Sequence, residues 1–390
     1  MSVTDDQPTP GTFGERALRR LLLVRPSTRL VHAAVEAGFS VRVLADARAG
    51  IDHVPASAAV DVVDFADPTA VASAIETAVR EHGTQRSLAC ADAARLPAVT
   101  QTAARLGVDP NPGDAAFLLS DQAAMRSLLN TSAHSYVAAV ETRNAEELSA
   151  AIEQIGAPVV VRSTGPSPGT GREPSYLVEQ HLEGSEYGVV TFTVDGMHQV
   201  IGIAALHTGW HPGNGCLFPA PLGERDEAEA RAMAAELLDL AGYEFGFAYT
   251  VVALTRHGLK VAHAHAHFPD EPVGSLVELA TGFSAETVIV RALAGRPVRP
   301  PAVRGIAAAV SCRLPGGRSR AVATLEAVGG LPGVHKVHLP PAADTDTGDR
   351  GGGTRGYVML TAATAQEAAR TVAAAEALLR AGADEGADRG

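Results

Sequence analysis

Lysine is almost missing from this chain: Lys260 and Lys336 are the only two among 390 residues. Aromatic residues are also scarce, 4% of the total, with Trp210 the single tryptophan. Cysteine occurs three times, at Cys90, Cys216 and Cys312, widely separated and with no CxxC pair. That usage excludes a disulfide framework and points to reduced thiols in a cytoplasmic protein. No apolar run approaches the ~20 residues that span a bilayer, and the polar, acidic start MSVTDDQPTPGT does not read as a signal peptide. Positive charge is the minority sign, with a net charge of −12. Nucleic acid is therefore an unsuitable partner, because binding phosphates requires clustered Lys and Arg. What is present, 46% hydrophobic and 19% charged, is a globular composition long enough for two or three domains.

The first third alternates. RRLLLV (19–24), FSVRVLA (39–45), VDVVDF (60–65) and SLACAD (87–92) read as strands, with helices at about 28–37, 68–82 and 93–106 between and after them. This pattern predicts a parallel, doubly wound sheet. VRPSTR follows the first strand where a dinucleotide fold would carry GxGxxG, so that fingerprint is absent. From Ser120 the texture changes. SDQAAMRSLLN predicts a helix capped by Ser120, and NAEELSAAIEQIG one capped by Asn144 and stopped by Gly156. YVAAVE, APVVVR, YLVEQHLEG, EYGVVTFTVDG and MHQVIGIAAL read as strands, the last two joined at Asp195-Gly196. Residues 225–241 form an acidic helix, and GFAYTVVALTRHGLKVAHAHAHF two antiparallel strands turning at His257-Gly258. A helix pair covers 275–293, and a smaller α+β unit follows Val303 with a loop-like insert at 340–356.

The order of these pieces resembles the ATP-grasp superfamily, and within it the ligases that join a carboxylate to an amine. SDQAAMRSLL, IGAPVVVR, YLVEQHLEGSEYGVVTFTVDG, FPAPL, GFAYTVVALTRHGLKV and SLVELATGFSAETVIVRALAGRPV carry the resemblance, which runs from about Leu21 to Leu379. It implies an α/β and α+β protein in six parts: a disordered leader (1–18), an N-terminal doubly wound domain (19–118), a shortened central lobe (119–184), a C-terminal grasp lobe (185–300), a small α+β unit (301–380) and a tail (381–390). It also implies ATP as the energy source, an acyl phosphate as the intermediate, and an amino-acid-type carboxylate as the substrate, in a setting of bacterial specialised metabolism. Arg162, Glu179 and Leu182 are the nucleotide candidates it supplies.

Several positions depart from the superfamily's pattern. Gln122 stands where the resemblance implies a lysine, and Arg162, with its planar fork, where it implies a second. Val251 replaces a metal-binding glutamate, and His263-Ala264-His265-Ala266-His267 replaces Glu-x-Asn-x-Arg. Magnesium prefers hard oxygen ligands in an octahedron, which valine and imidazole do not provide. Residues 163–175 are too few for a full ATP lid, and Pro166 and Pro168 remove backbone donors from it. Together these predict a degenerate nucleotide and magnesium site.

The histidine row has three readings. On a strand, all three rings share one face, with alternate Cα atoms ~6.6 Å apart. Zinc or iron would suit His263 and His265 with Asp270, or with Glu271, His207 or His211, though three rings on a straight strand would need a bulge to converge. Alternatively the rings bind substrate or act as acid and base (catalytic candidates His263, His265 and His267), or they are drift. Glu186, Trp210 and His211 are the substrate candidates; nothing supports Cys216 as a nucleophile. Three functions follow: a divergent ligase-like enzyme using an altered ATP site, an ATP-independent enzyme using the histidines, or a non-catalytic relative that binds small molecules. The expected partners are a small-molecule substrate and another copy of the chain or a biosynthetic enzyme, with no membrane.

Overall fold

The computed structural model describes residues 19–46, 54–89, 96–132, 135–163, 175–206, 215–313, 318–338 and 355–387. His207, Trp210, His211 and residues 1–18, 164–174 and 339–354 lie outside them.

The N-terminal domain follows from its apolar runs. Strands β1 (Arg20–Val24), β2 (Ser40–Asp46), β3 (Ala59–Val63) and β4 (Arg86–Ala89) form a parallel sheet in the order β3-β2-β1-β4. Leu21, Leu22, Leu23 and Val24 are all buried, as a parallel strand covered on both faces requires. Helices α1 (Thr28–Glu36), α2 (Pro68–His82) and α3 (Leu96–Arg105) pack against it. The α2 boundaries follow local chemistry: the Asp67 side chain accepts the Thr69 N–H, Pro68 opens the helix, and Gly83 closes it at φ 62°.

The expected helix after residue 119 begins later. Ser120 ends α4 (Ala115–Ser120), and Asp121, in an extended conformation, caps α5 (Gln122–Leu129) by accepting the Ala124 N–H at 2.8 Å. The carboxylate one residue on displaced the serine as cap. In the central lobe, β5 (Ala139–Thr142), α6 (Ala145–Ile155), β6 (Val159–Ser163) and β7 (Tyr176–Gln180) give a three-stranded antiparallel sheet, β5-β7-β6. Asn144 caps α6, and Gly156 stops it at φ 82°.

The rest is one large antiparallel sheet. It contains β8 (Ser185–Val194), β9 (Met197–Leu206), β10 (Gly215–Phe218), β11 (Phe245–Thr255), β12 (Gly258–His265), β13 (Ile306–Arg313), β14 (Val334–His338) and β15 (Arg355–Ala362). Their order is β12-β11-β8-β9-β10-β13-β15-β14, so the terminal α+β unit extends the grasp sheet through the β10–β13 pair. Helices α7 (Glu224–Leu240) and α11 (Ala365–Ala387) cover one face, and α8 (Val273–Thr281) and α9 (Ala285–Leu293) the other; α10 (Arg318–Gly329) packs against β14 and α11. The last helix continues past Gly382, where a tail was expected. Asp195 and Gly196, both left-handed, make the β8–β9 turn as read. The β11–β12 turn is Arg256-His257, one residue early, because Gly258 already pairs with Thr255. No single described helix is long and apolar enough to cross a membrane.

Candidate functional site

A bulge sets which way the histidine row points. Leu259 and Val261 of β12 face the core beneath α7, and uninterrupted alternation would send His263 and His265 there too. Instead the β11 register slips at Val251/Val252: Val252 pairs with Val261, Val251 with His263, and Ala262 is the extra residue. The slip returns Ala264 to the α7 core and turns His263 and His265 to the opposite face, opposite Val251 and Tyr249. The rings run as a row, with centroids 5.4 Å apart for His263 and His265 and 5.2 Å for His265 and His267. His267 lies just past the strand end and stacks on His265 at 28°.

The row crosses from one environment into another. His265 and His267 line a cavity of about 930 Å³ between the N-terminal domain and the grasp sheet; His263 does not. The cavity opens at the carboxyl ends of β1, β2 and β4, where parallel sheets commonly bind ligands. Arg25 stands there in a left-handed backbone conformation, φ 52°, with its guanidinium 5.5 Å from the Phe65 ring centroid. Tyr249, Asp270 and Asp109 also line the space. Burial pushes Asp109 up to about 6, against the Asn111 N–H that donates to it at 2.8 Å. Burial also raises the Tyr249 hydroxyl, with Cys216 and Glu186 acting in the same direction. The Tyr249 ring lies across Gly188, where a Cβ would stand 2.3 Å from the hydroxyl oxygen.

His263 faces the central lobe. Burial lowers it to about 4, and His265, Arg162 and Arg126 push the same way. Burial and His267 lower His265, while Asp270 opposes them. Two ring nitrogens have distinct roles. His267 Nδ1 donates to the Phe268 carbonyl at 2.7 Å, so its neutral ring keeps the lone pair on Nε2. His265 Nδ1 is buried with no hydrogen-bond partner among the described residues.

Of the nucleotide candidates, Arg162 and Glu179 contact each other and Leu182 does not join them. Glu179 of β7 is 4% exposed and accepts from Arg126 Nε at 2.8 Å and from Gln122 Nε2 at 3.2 Å. Arg162, half exposed, reaches it at 3.5 Å. Gln122 and Arg126 also donate to the Ala262 carbonyl, and Arg126 to that of Val261, so the bulge's carbonyls are bonded from α5. Arg126 was not anticipated; its place four residues after Gln122, on the same helix face, was the available signal. Leu182 and Glu186 do not line the cavity, although Glu186 is close enough to act on Tyr249. Glu271 bonds Lys336 at 2.7 Å and Tyr357.

The metal reading finds no group of ligands among the described residues, and its further candidates His207 and His211 lie outside them. Among the described residues no three His, Cys, Asp or Glu side chains are grouped to hold an ion, so His263, His265 and Asp270 do not form a centre. The bulge precedes the row rather than bending it, and the rings stay spaced along the strand.

No family model and no curated protein matches the sequence. Among solved structures, the chain is similar to an L-amino acid ligase from Bacillus licheniformis, with TM-score 0.73 and 16% identity over 94% of this chain and 97% of that one. An N5-carboxyaminoimidazole ribonucleotide synthetase from Thermotoga maritima gives 0.68 and 15%, covering 93% and 98%. A phosphoribosylglycinamide synthetase from Anaerococcus prevotii gives 0.65 and 14%, covering 91% and 97%. The architecture shared with these ligases is the ATP-grasp fold, and this chain has it.

Proposed function

We propose that this ATP-grasp protein is an enzyme that binds a small amino-acid-type carboxylate in the cavity beside His265 and His267 and moves a proton on it, without a magnesium–ATP acyl-phosphate step. The observation that carries the reading is the stacked imidazole pair on the cavity wall, with the His267 Nδ1–H held by the Phe268 carbonyl so that Nε2 is left as an acceptor. His267 Nε2 takes a proton from the substrate, and the neighbouring His265 ring hydrogen-bonds the group that gains charge. Arg25, at the carboxyl end of β1, offers a cation for the carboxylate, and Asp270 offers a charge for an amine. The likeness to the Bacillus licheniformis L-amino acid ligase favours the same substrate class.

ATP and magnesium, which the fold family implies, do not fit the residues present. Val251 is 1% exposed and has no oxygen to offer, and its neighbour across the strand pair, His263, is a nitrogen ligand beside two arginines. Glu179 is already bonded to Gln122 and Arg126. Phosphoryl transfer depends on positioning and charge neutralisation, and of the two described arginines paired with Glu179 only the half-exposed Arg162 offers an accessible cation.

The test is thermal stability with a panel of amino acids, without nucleotide or magnesium. Ligand binding to the native state raises the melting temperature. The expected result is a rise with one chemical class, abolished by His267→Ala. A rise that appears only when Mg·ATP is added would overturn the reading.

A further inference from the structure

At the opposite end of the N-terminal sheet lies a second cavity, of about 910 Å³. It is built where three parts meet: the amino ends of β1 and β4, the β8–β9 hairpin with the start of β11, and the carboxyl end of α9. Four arginines line it, Arg19 and Arg20 from the first strand, Arg86 from β4 and Arg296 beyond α9. Asp195 and Glu244 are its only carboxylates. Among the described residues none of the four guanidiniums makes an ion pair, although Arg20 donates to the His82 carbonyl at 2.9 Å. In a chain of net charge −12, this concentrates positive charge in one concave place. The floor is apolar, with Phe39 and Phe245 both buried.

We infer that this cavity binds a small, multiply charged oxyanion. Arginine presents a planar fork that pairs bidentately with phosphate or carboxylate oxygens. Four such groups face two acids in the cavity, with Asp109 acting on Arg86 from beside it, and the excess that remains is neutralised better by a multiply charged ligand than by a monoanion. The volume exceeds what an inorganic ion needs, and the apolar floor accommodates an organic body on the charged group. The site is separate from the histidine cavity, and Pro110 and Phe245 line both, forming a shared wall. The inference does not depend on the proposed proton chemistry.

The experiment is calorimetric titration of the full chain with pyrophosphate and, separately, with tricarballylate, at matched ionic strength. Saturable binding of either is expected, weakened at least ~10-fold by Arg19→Ala with Arg296→Ala, because each charge-assisted pair lost costs on the order of a kcal/mol or more. Arg296→Glu alone should weaken it as well, and His267→Ala should leave it unchanged. Preference for pyrophosphate assigns a phosphorylated ligand, and preference for tricarballylate a polycarboxylate. Absence of saturable binding by both anions, or binding indifferent to the arginine substitutions, overturns the inference.

Discussion

At the scale of single residues, His263 gives the most direct pH signature. Its folded value is about 4, against 6.5 for a free imidazole. Above pH 6.5 both folded and unfolded forms are neutral, and its contribution to stability is complete. As pH falls below 6.5 the unfolded chain takes the proton first. Stability is then lost at up to ~1.4 kcal/mol per pH unit until about pH 4. Urea midpoints at pH 7.5, 5.5 and 4.5 should therefore fall less steeply for His263→Gln than for the parent. Gly188 makes a second, independent point. A methyl there would meet the Tyr249 hydroxyl at 2.3 Å and its ring at 2.5 Å, inside a packed sheet. Gly188→Ala should cost about 1–3 kcal/mol by denaturation, the usual range for overpacking.

At the scale of elements, the contacts around Glu179 fasten three pieces together. Arg126 and Gln122 come from α5, Glu179 from β7, and the accepting carbonyls of Val261 and Ala262 from the bulged strand β12. Arg126 is 2% exposed, so removing either partner strands a buried charge. Arg126→Ala and Glu179→Ala should each cost about 3–5 kcal/mol, and the double variant clearly less than their sum. This part of the molecule also shows what the sequence could and could not convey. The strands, the Asn144 cap, the Asp195-Gly196 turn and a row of rings sharing one face were legible, because each depends on residues adjacent in sequence. The bulge at Ala262 was not, since it depends on pairing with a strand across the hairpin, and it decides which face the row takes. Arg126 and Asp109 were invisible for the same reason: burial and distant partners, rather than any motif, give them their properties.

At the scale of the whole molecule, cavities lie at opposite ends of the first sheet, while Glu179, one of the expected nucleotide residues, is bonded to Gln122 and Arg126. ADP formation from Mg·ATP by the full chain, with and without a mixture of amino acids, tests this arrangement most directly. The account predicts no turnover above the protein-free rate in either case. Amino-acid-dependent ADP formation that disappears in Arg162→Ala would contradict it.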